Sequence, residues 1–156
     1  MAALADNLVI GSAGELPWES IPADKRQYRA RVRDSPVILG RKTFEAMRDD
    51  LPGSIQLVLS RSDRKWNQNT AYGVTSVEEA LTFASSSGAK KVYVLGGAKI
   101  YELFLPYCDR MVLSRIPQSY PGDATFPEWN KDEWDLVNTT AYDEFMLEEW
   151  VRRESQ

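Results

Sequence analysis

Val37-Ile38-Leu39-Gly40-Arg41-Lys42-Thr43 passes from three large apolar residues through a glycine into two cations and a hydroxyl. A short continuous apolar run bounded by a turn signal reads as a strand buried on both faces. Val94-Leu95-Gly96-Gly97-Ala98-Lys99 repeats the pattern, and Val58-Leu59-Ser60-Arg61-Ser62 ends a third apolar run in hydroxyls and a guanidinium. Strands that feed helices through short turns predict an α/β chain with a largely parallel sheet in its first part.

Working outward, Ala2–Ala5 and 8–10 read as a short strand and its continuation, followed by a turn at 11–14. Pro22 starts a helix to about Arg33, because its missing N–H costs nothing at the first helical position. Further strands are expected over 36–39, 55–60, 91–95 and 110–116, and short helices over 43–47 and 99–105. Ser76 with Glu79 three residues on predicts a capping box opening another helix, which ends at 85–88. Residues 134–137 and 144–152 read as two strands closing the chain as a hairpin. No repeat, low-complexity block or linker interrupts the 156 residues, so one domain is expected over 1–156.

Composition narrows the chemistry. With 43% hydrophobic and 27% charged residues the chain has globular proportions. It has no histidine, which excludes Ser-His-Asp and Cys-His catalysis and histidine metal ligation. Cys108 is the one cysteine, so an internal disulfide, a Cys-x-x-Cys pair and a multi-cysteine zinc site are excluded too. The bland reading of Cys108 is a small packing residue, and of Trp66, Trp129, Trp134 and Trp150 packing aromatics. No apolar run is long enough to span a bilayer. The start lacks a basic leader and a long apolar stretch, so no signal peptide is read there and a cytoplasmic location is expected. The net charge of −4 is uneven: residues 25–66 hold 11 basic and 5 acidic side chains, residues 123–156 hold 3 and 10. Either this is ordinary solvated charge, or the basic part serves a small anionic ligand. Nucleic acid is disfavoured by the acidic total and the lack of a recognisable module.

Two features carry the chemistry. Ile21, Asp24, Tyr28 and Val32 share one face by helical spacing, so a carboxylate stands where core residues are expected. It is either a partner of the helix dipole or a contact for a polar ligand in an apolar pocket. The three strand ends above are the other feature. Ligands of open α/β sheets bind outside the carboxyl ends of the strands, where helix N-termini offer N–H groups to phosphates. Arg41, Lys42 and Arg61 would add charge-assisted bonds, which suits a phosphorylated dinucleotide. Gly-x-Gly-x-x-Gly is absent, and a lone Gly-Gly is equally a tight turn.

In order, Ala2-Ala-Leu-Ala5, Val9-Ile-Gly11, Leu16-Pro-Trp18, Ile21-Pro-Ala-Asp24, Val37-Ile-Leu-Gly-Arg-Lys-Thr-Phe-Glu45, Leu51-Pro-Gly53, Val58-Leu-Ser-Arg61, Val94-Leu-Gly-Gly97, Ile100-Tyr101 and Gly122-Asp-Ala-Thr-Phe-Pro127 resemble dihydrofolate reductase over nearly the whole chain, and most closely the reductases of halophilic archaea. The resemblance implies a central eight-stranded, mostly parallel sheet with flanking helices and an antiparallel C-terminal strand, with residues of about 35–107 around the adenosine end of the cofactor. It implies NADPH-dependent reduction of dihydrofolate to tetrahydrofolate, with hydride going to pterin C6 and a proton to N5.

By the same resemblance Asp24 holds the pterin, Ser114 bonds this acid, and Trp18 supports it as part of a closing loop from Gly11. Ala2, Ala3, Tyr28, Met47, Leu51, Leu95 and Tyr101 border the substrate. Ala3, Ile10, Arg41, Lys42, Thr43, Ser60, Arg61, Ser62, Gly97, Ala98, Lys99, Ile100 and Tyr101 hold the cofactor, and the Gly96–Gly97 bond is cis. No metal is implied; the small-molecule partner is dihydrofolate, and a monomer is expected.

Two departures stand out. Ser54 replaces a family arginine that pairs with the glutamate end of the substrate, and Arg29 is expected to compensate in part. Met1 stands where the family has an interior strand residue, which implies a short first strand or further residues upstream. The riboflavin-pathway reductase of the same fold is an alternative that the Trp18–Asp24 spacing disfavours. A silent nucleotide- or pterin-binding module is another, disfavoured by the joint presence of Asp24 and the cationic site, and an interaction protein without a small-molecule site is a third.

Overall fold

The computed structural model describes residues 1–11, 17–61 and 70–153. In chain order its elements are β1 (Ala2–Ala5), β2 (Val9–Gly11), α1 (Pro22–Val32), β3 (Val37–Gly40), α2 (Arg41–Ala46), β4 (Gln56–Leu59), β5 (Ala71–Val74), α3 (Val77–Ser86), β6 (Tyr93–Gly96), α4 (Ala98–Phe104), β7 (Arg110–Ile116), β8 (Ala124–Thr125), β9 (Trp134–Ala141) and β10 (Met146–Arg152). They fall into two compact units, one of residues 25–104 and one of residues 1–24 with 105–156.

In the unit of residues 25–104 the strand order is β5-β4-β3-β6 and every pairing is parallel. Ile38, Leu57, Val74, Ala80, Ala84, Ile100 and Phe104 form its buried core. The continuous apolar runs arise because a parallel sheet has both faces covered. The parallel direction also puts the carboxyl ends of β4, β3 and β6 side by side. α3 is capped as its sequence predicts at one end: the Ser76 hydroxyl accepts from Glu79 N–H at 3.0 Å. The reciprocal half differs. Glu79 accepts from the N–H and the hydroxyl of Thr75, one residue earlier, both at 2.9 Å. These two bonds hold the Glu79 carboxyl below its ordinary value.

In the other unit the order is β1-β7-β10-β9, with β1 parallel to β7 and the last two pairings antiparallel. The mixed directions follow from the hairpin β9–β10 adding to a β-strand edge. Ile116, Phe145 and Leu147 are buried here, with Trp18, Ile21, Ala23 and Tyr120 packed against them. Arg152 fastens the end of β10. Its guanidinium donates to the carbonyls of Cys108 and Leu105, both at 2.8 Å, and lies 4.4 Å over the Trp134 ring. Burial pushes the Cys108 thiol above its ordinary value, which fits a packing residue and not a nucleophile.

β2 and β8 form a separate antiparallel pair, Val9 opposite Thr125 and Gly11 opposite Ala124. Gly122 lies against it so closely that a Cβ would sit 2.4 Å from both the Gly11 carbonyl oxygen and Val9 Cγ1. The obstacle includes main chain, so it cannot simply rotate away. Gly122→Val is expected to cost about 1–3 kcal/mol by overpacking and to speed amide exchange at 9–11 selectively. Urea melts and hydrogen exchange check both.

Candidate active site

α1 begins at Pro22 and carries Asp24 in its first turn. β7 carries Ser114, which is 2% exposed and stands opposite Ala3 of β1 in register. The Ser114 hydroxyl donates to Asp24 Oδ1 at 2.5 Å, across 90 residues of sequence. A buried hydroxyl aimed at a half-buried carboxylate is a charge-assisted bond, stronger than a neutral one. Ser114→Ala is expected to lower stability by about 1–3 kcal/mol, read by chemical denaturation at neutral pH; an unchanged midpoint contradicts the bond.

Trp18 is half-buried beside the same helix start, among the residues packed on Ile116, Phe145 and Leu147. Its ring lies 5.5 Å from that of Tyr120, tilted by 57°. Tyr120 is itself held by Asn7, whose amide donates to the Tyr120 carbonyl at 2.9 Å and accepts from its N–H at 3.4 Å. Neither Asn7 nor Tyr120 carries a local sequence signal for this pairing, since 113 residues separate them. Ala2, Ala3 and Ile10 are partly exposed on β1 and β2 of this unit.

The unit of residues 25–104 brings a second group together at the ends of its parallel strands. β3 runs directly into α2 at Gly40, whose extended backbone caps the helix without a side-chain hydrogen bond. β6 runs through Gly96 and Gly97, joined by a cis peptide, into α4. The two turns touch: a Cβ on Gly40 would meet Ile100 Cγ1 at 3.1 Å, and one on Gly97 would meet Thr43 Oγ1 at 3.7 Å. Gly96 has φ +108°, and its Cα side faces the Tyr101 ring, 3.0 Å from where a Cβ would stand. Ser60 follows β4 and donates its N–H to the Val74 carbonyl at 3.1 Å, with exposed Arg61 next. Arg41 and Thr43 are half-buried, Lys42 and Lys99 exposed, and Ala98 and Leu95 partly exposed. Ser62 lies outside the described residues, as do Leu16 and Trp66.

On α1, Tyr28 follows Asp24 by one helical turn and Arg29 comes next, its guanidinium 5.7 Å over the Tyr28 ring. Arg29 pairs with Asp50, three residues after Met47 and beside Leu51. Sequence reading missed Asp50, because the pair spans 21 residues between a helix and a turn. Among the described residues no helix is long and apolar enough to cross a membrane, and no cluster of carboxylates or thiols could hold a metal ion.

The comparisons with known proteins agree with one another. The family model described as dihydrofolate reductase matches residues 1–149. Dihydrofolate reductase HdrB of Haloferax volcanii is 34% identical, over 99% of this chain and 82% of its own. Dihydrofolate reductase 1 of Haloarcula marismortui is 36% identical, over 96% and 88%. A solved structure of dihydrofolate reductase from Enterococcus faecalis, complexed with NADP(H) and RAB-propyl, is 28% identical and superposes with a TM-score of 0.83 over 98% of this chain and 94% of that one. The riboflavin-pathway alternative thus gives way, and the chain belongs to the dihydrofolate reductase family.

Proposed function

We propose that this chain reduces dihydrofolate to tetrahydrofolate with NADPH, as one domain over 1–156 whose residues of about 35–107 serve the adenosine end of the cofactor. One observation carries the reading: a carboxylate in the first turn of α1, fixed by the buried hydroxyl of Ser114. A pterin presents neighbouring N–H donors, and a carboxylate has two acceptor oxygens to match them. Ser114 spends its hydroxyl on Oδ1 and so orients the acid toward such a ligand.

Asp24 therefore holds the pterin and favours proton gain at N5. Trp18 backs the acid and shields it from water. Ala2, Ala3, Tyr28, Met47, Leu51, Leu95 and Tyr101 line the rings of the substrate, and Arg29 meets its carboxylate end. When bound, NADPH supplies the hydride that C6 receives. The residues present suit that cofactor. Gly97 stands beside Thr43, its Cβ position 3.7 Å from Thr43 Oγ1, and α2 starts without a side-chain cap on its N–H groups. A phosphate meeting such N–H groups is stabilised by them. Thr43 and the 97–101 segment (Gly97, Ala98, Lys99, Ile100, Tyr101) hold the pyrophosphate and nicotinamide parts. Ala3 and Ile10 flank the nicotinamide. Arg41, Lys42, Ser60, Arg61 and Ser62 take the additional phosphate that separates NADPH from NADH.

We further propose that the chain works as a monomer in the cytoplasm and is adapted to concentrated salt; the similarity to reductases of Haloferax volcanii and Haloarcula marismortui supports the last of these. The test is loss of NADPH absorbance on adding dihydrofolate across a wide salt range, with NADH as control. Faster turnover with NADPH, rising with salt, is the expected result. Stoichiometric NADPH binding without turnover by a folded chain refutes the enzymatic reading in favour of a binding module.

A further inference from the structure

The guanidinium that the reading above gives to the substrate's carboxylate end is already engaged. Arg29 Nη1 lies 2.9 Å from Asp50 Oδ1, and Nη2 donates to the Asp50 carbonyl at 2.6 Å. Both contacts go to one residue, so each terminal nitrogen of the fork carries a contact to Asp50, while Nε has no partner among the described residues. Asp50 is placed there by its turn and not by chance rotation. Its N–H donates to the Met47 carbonyl at 2.9 Å, and the following segment is pinned by Gln56 Nε2 on the Pro52 carbonyl at 2.7 Å and by Ser54 N–H on the Ser35 carbonyl at 2.9 Å. Asp49 adds a second exposed acid beside it.

The order of groups along α1 shows what Asp50 competes with. Asp24 and Tyr28 share a face of α1, and Arg29 follows about 100° further round the helix, with its guanidinium turned back over the Tyr28 ring at 5.7 Å. With a rise of about 1.5 Å per residue, Arg29 stands about 7.5 Å along the axis from Asp24. Dihydrofolate has the complementary order: a pterin that donates, an aminobenzoyl ring, and a glutamate carrying two carboxylates. A substrate carboxylate that arrives at Arg29 Nη1 meets the Asp50 carboxylate already there and exchanges with it. That exchange trades one ion pair for another, and Asp49 and Asp50 repel the incoming dianion.

We propose that Asp50 is a specificity-determining residue: it holds Arg29 in place of the substrate's glutamate and so reduces the advantage of dihydrofolate over a dihydropterin without that tail. The proposal rests on the reductase reading. Asp50 is 69% exposed, so its hold is the modest one of a surface pair, and it weakens further in salt. The consequence is a chain that treats tailed and tail-less substrates more alike at low salt than the bare Arg29 cation would.

The test is steady-state KM at low ionic strength and saturating NADPH for two substrates, dihydrofolate and tail-less dihydrobiopterin. The chains are the parent, Asp50→Asn, Asp50→Ala, Asp49→Asn, and Arg29→Ala with and without Asp50→Asn. Both Asp50 variants are expected to lower KM for dihydrofolate by about two- to fivefold, the range of an exposed ion pair. KM for dihydrobiopterin and kcat should stay level. Asp49→Asn should act less, because the same charge is removed without opening the fork. In the Arg29→Ala background Asp50→Asn should change nothing. Equal shifts for both substrates, an unchanged KM for dihydrofolate, or an Asp50 effect that survives Arg29→Ala each overturns the proposal while leaving the reductase reading intact. If the parent reduces neither substrate, the reductase reading falls and the proposal with it.

Discussion

Asp24→Asn is expected to leave the fold and NADPH affinity in place and to cut turnover of dihydrofolate at neutral pH by about 10²–10⁴-fold, the usual share of a positioned acid–base group. The amide has nearly the same shape, and its oxygen can still accept from the Ser114 hydroxyl that now bonds Oδ1. Two things change. The negative charge disappears, and one acceptor becomes an NH₂ donor facing a ligand that also donates. A donor facing a donor leaves both unpaired, which costs more than the missing bond alone. Stability should hold, because a half-buried charge is exchanged for a neutral group of equal size. Steady-state kinetics, an NADPH titration and a thermal melt on one preparation separate these outcomes. Near-normal kcat would remove Asp24 from the chemistry; a collapsed melt would show that its role is structural.

Gly96→Ala is expected to have the largest effect in the unit of residues 25–104. The position has φ +108°, where L side chains are strained, and its Cβ would come within 3.0 Å of the Tyr101 ring. Strain of this kind costs about 1–3 kcal/mol, and the ring contact adds to it because Tyr101 is only 9% exposed. The ring has little room to withdraw. NADPH affinity should therefore fall along with stability, since the 97–101 turn must shift to admit the methyl group. Gly88→Ala is the control. It shares a positive φ, +77°, but a Cβ there meets nothing within 4 Å. It should lower Tm by a few degrees at most and leave NADPH affinity unchanged. Equal effects at the two glycines would mean that backbone strain alone, and not the Tyr101 contact, governs the site.

The local features of the fold were legible because local physics sets them. β7 spans 110–116 as its apolar pattern predicts, and Ser76 caps α3 as its spacing to Glu79 predicts. α1 starts at Pro22 for the reason a proline favours a first turn. β5 was not legible: Ala71-Tyr-Gly-Val74 is four residues long, contains a glycine, and becomes a strand by pairing at the edge beside β4. β9 runs four residues beyond its expected end, through Asn138-Thr-Thr-Ala141, because β10 supplies the partner that an exposed polar segment cannot signal by itself. The same distinction holds for the site. Asp24 announced itself as an acid on an apolar helix face. Asp50 on Arg29, and Asn7 on Tyr120, are pairings across a fold and leave no trace in periodicity.

Isotope labelling follows the hydride itself. NADPH carrying deuterium at the transferable position of the nicotinamide is incubated with dihydrofolate and this chain, and the product is isolated and read by NMR and mass. The expected product is tetrahydrofolate with one deuterium at C6, with the yield lost in Asp24→Asn. Recovery of unlabelled dihydrofolate and intact labelled NADPH, from a chain shown to bind both, would contradict the reductase reading.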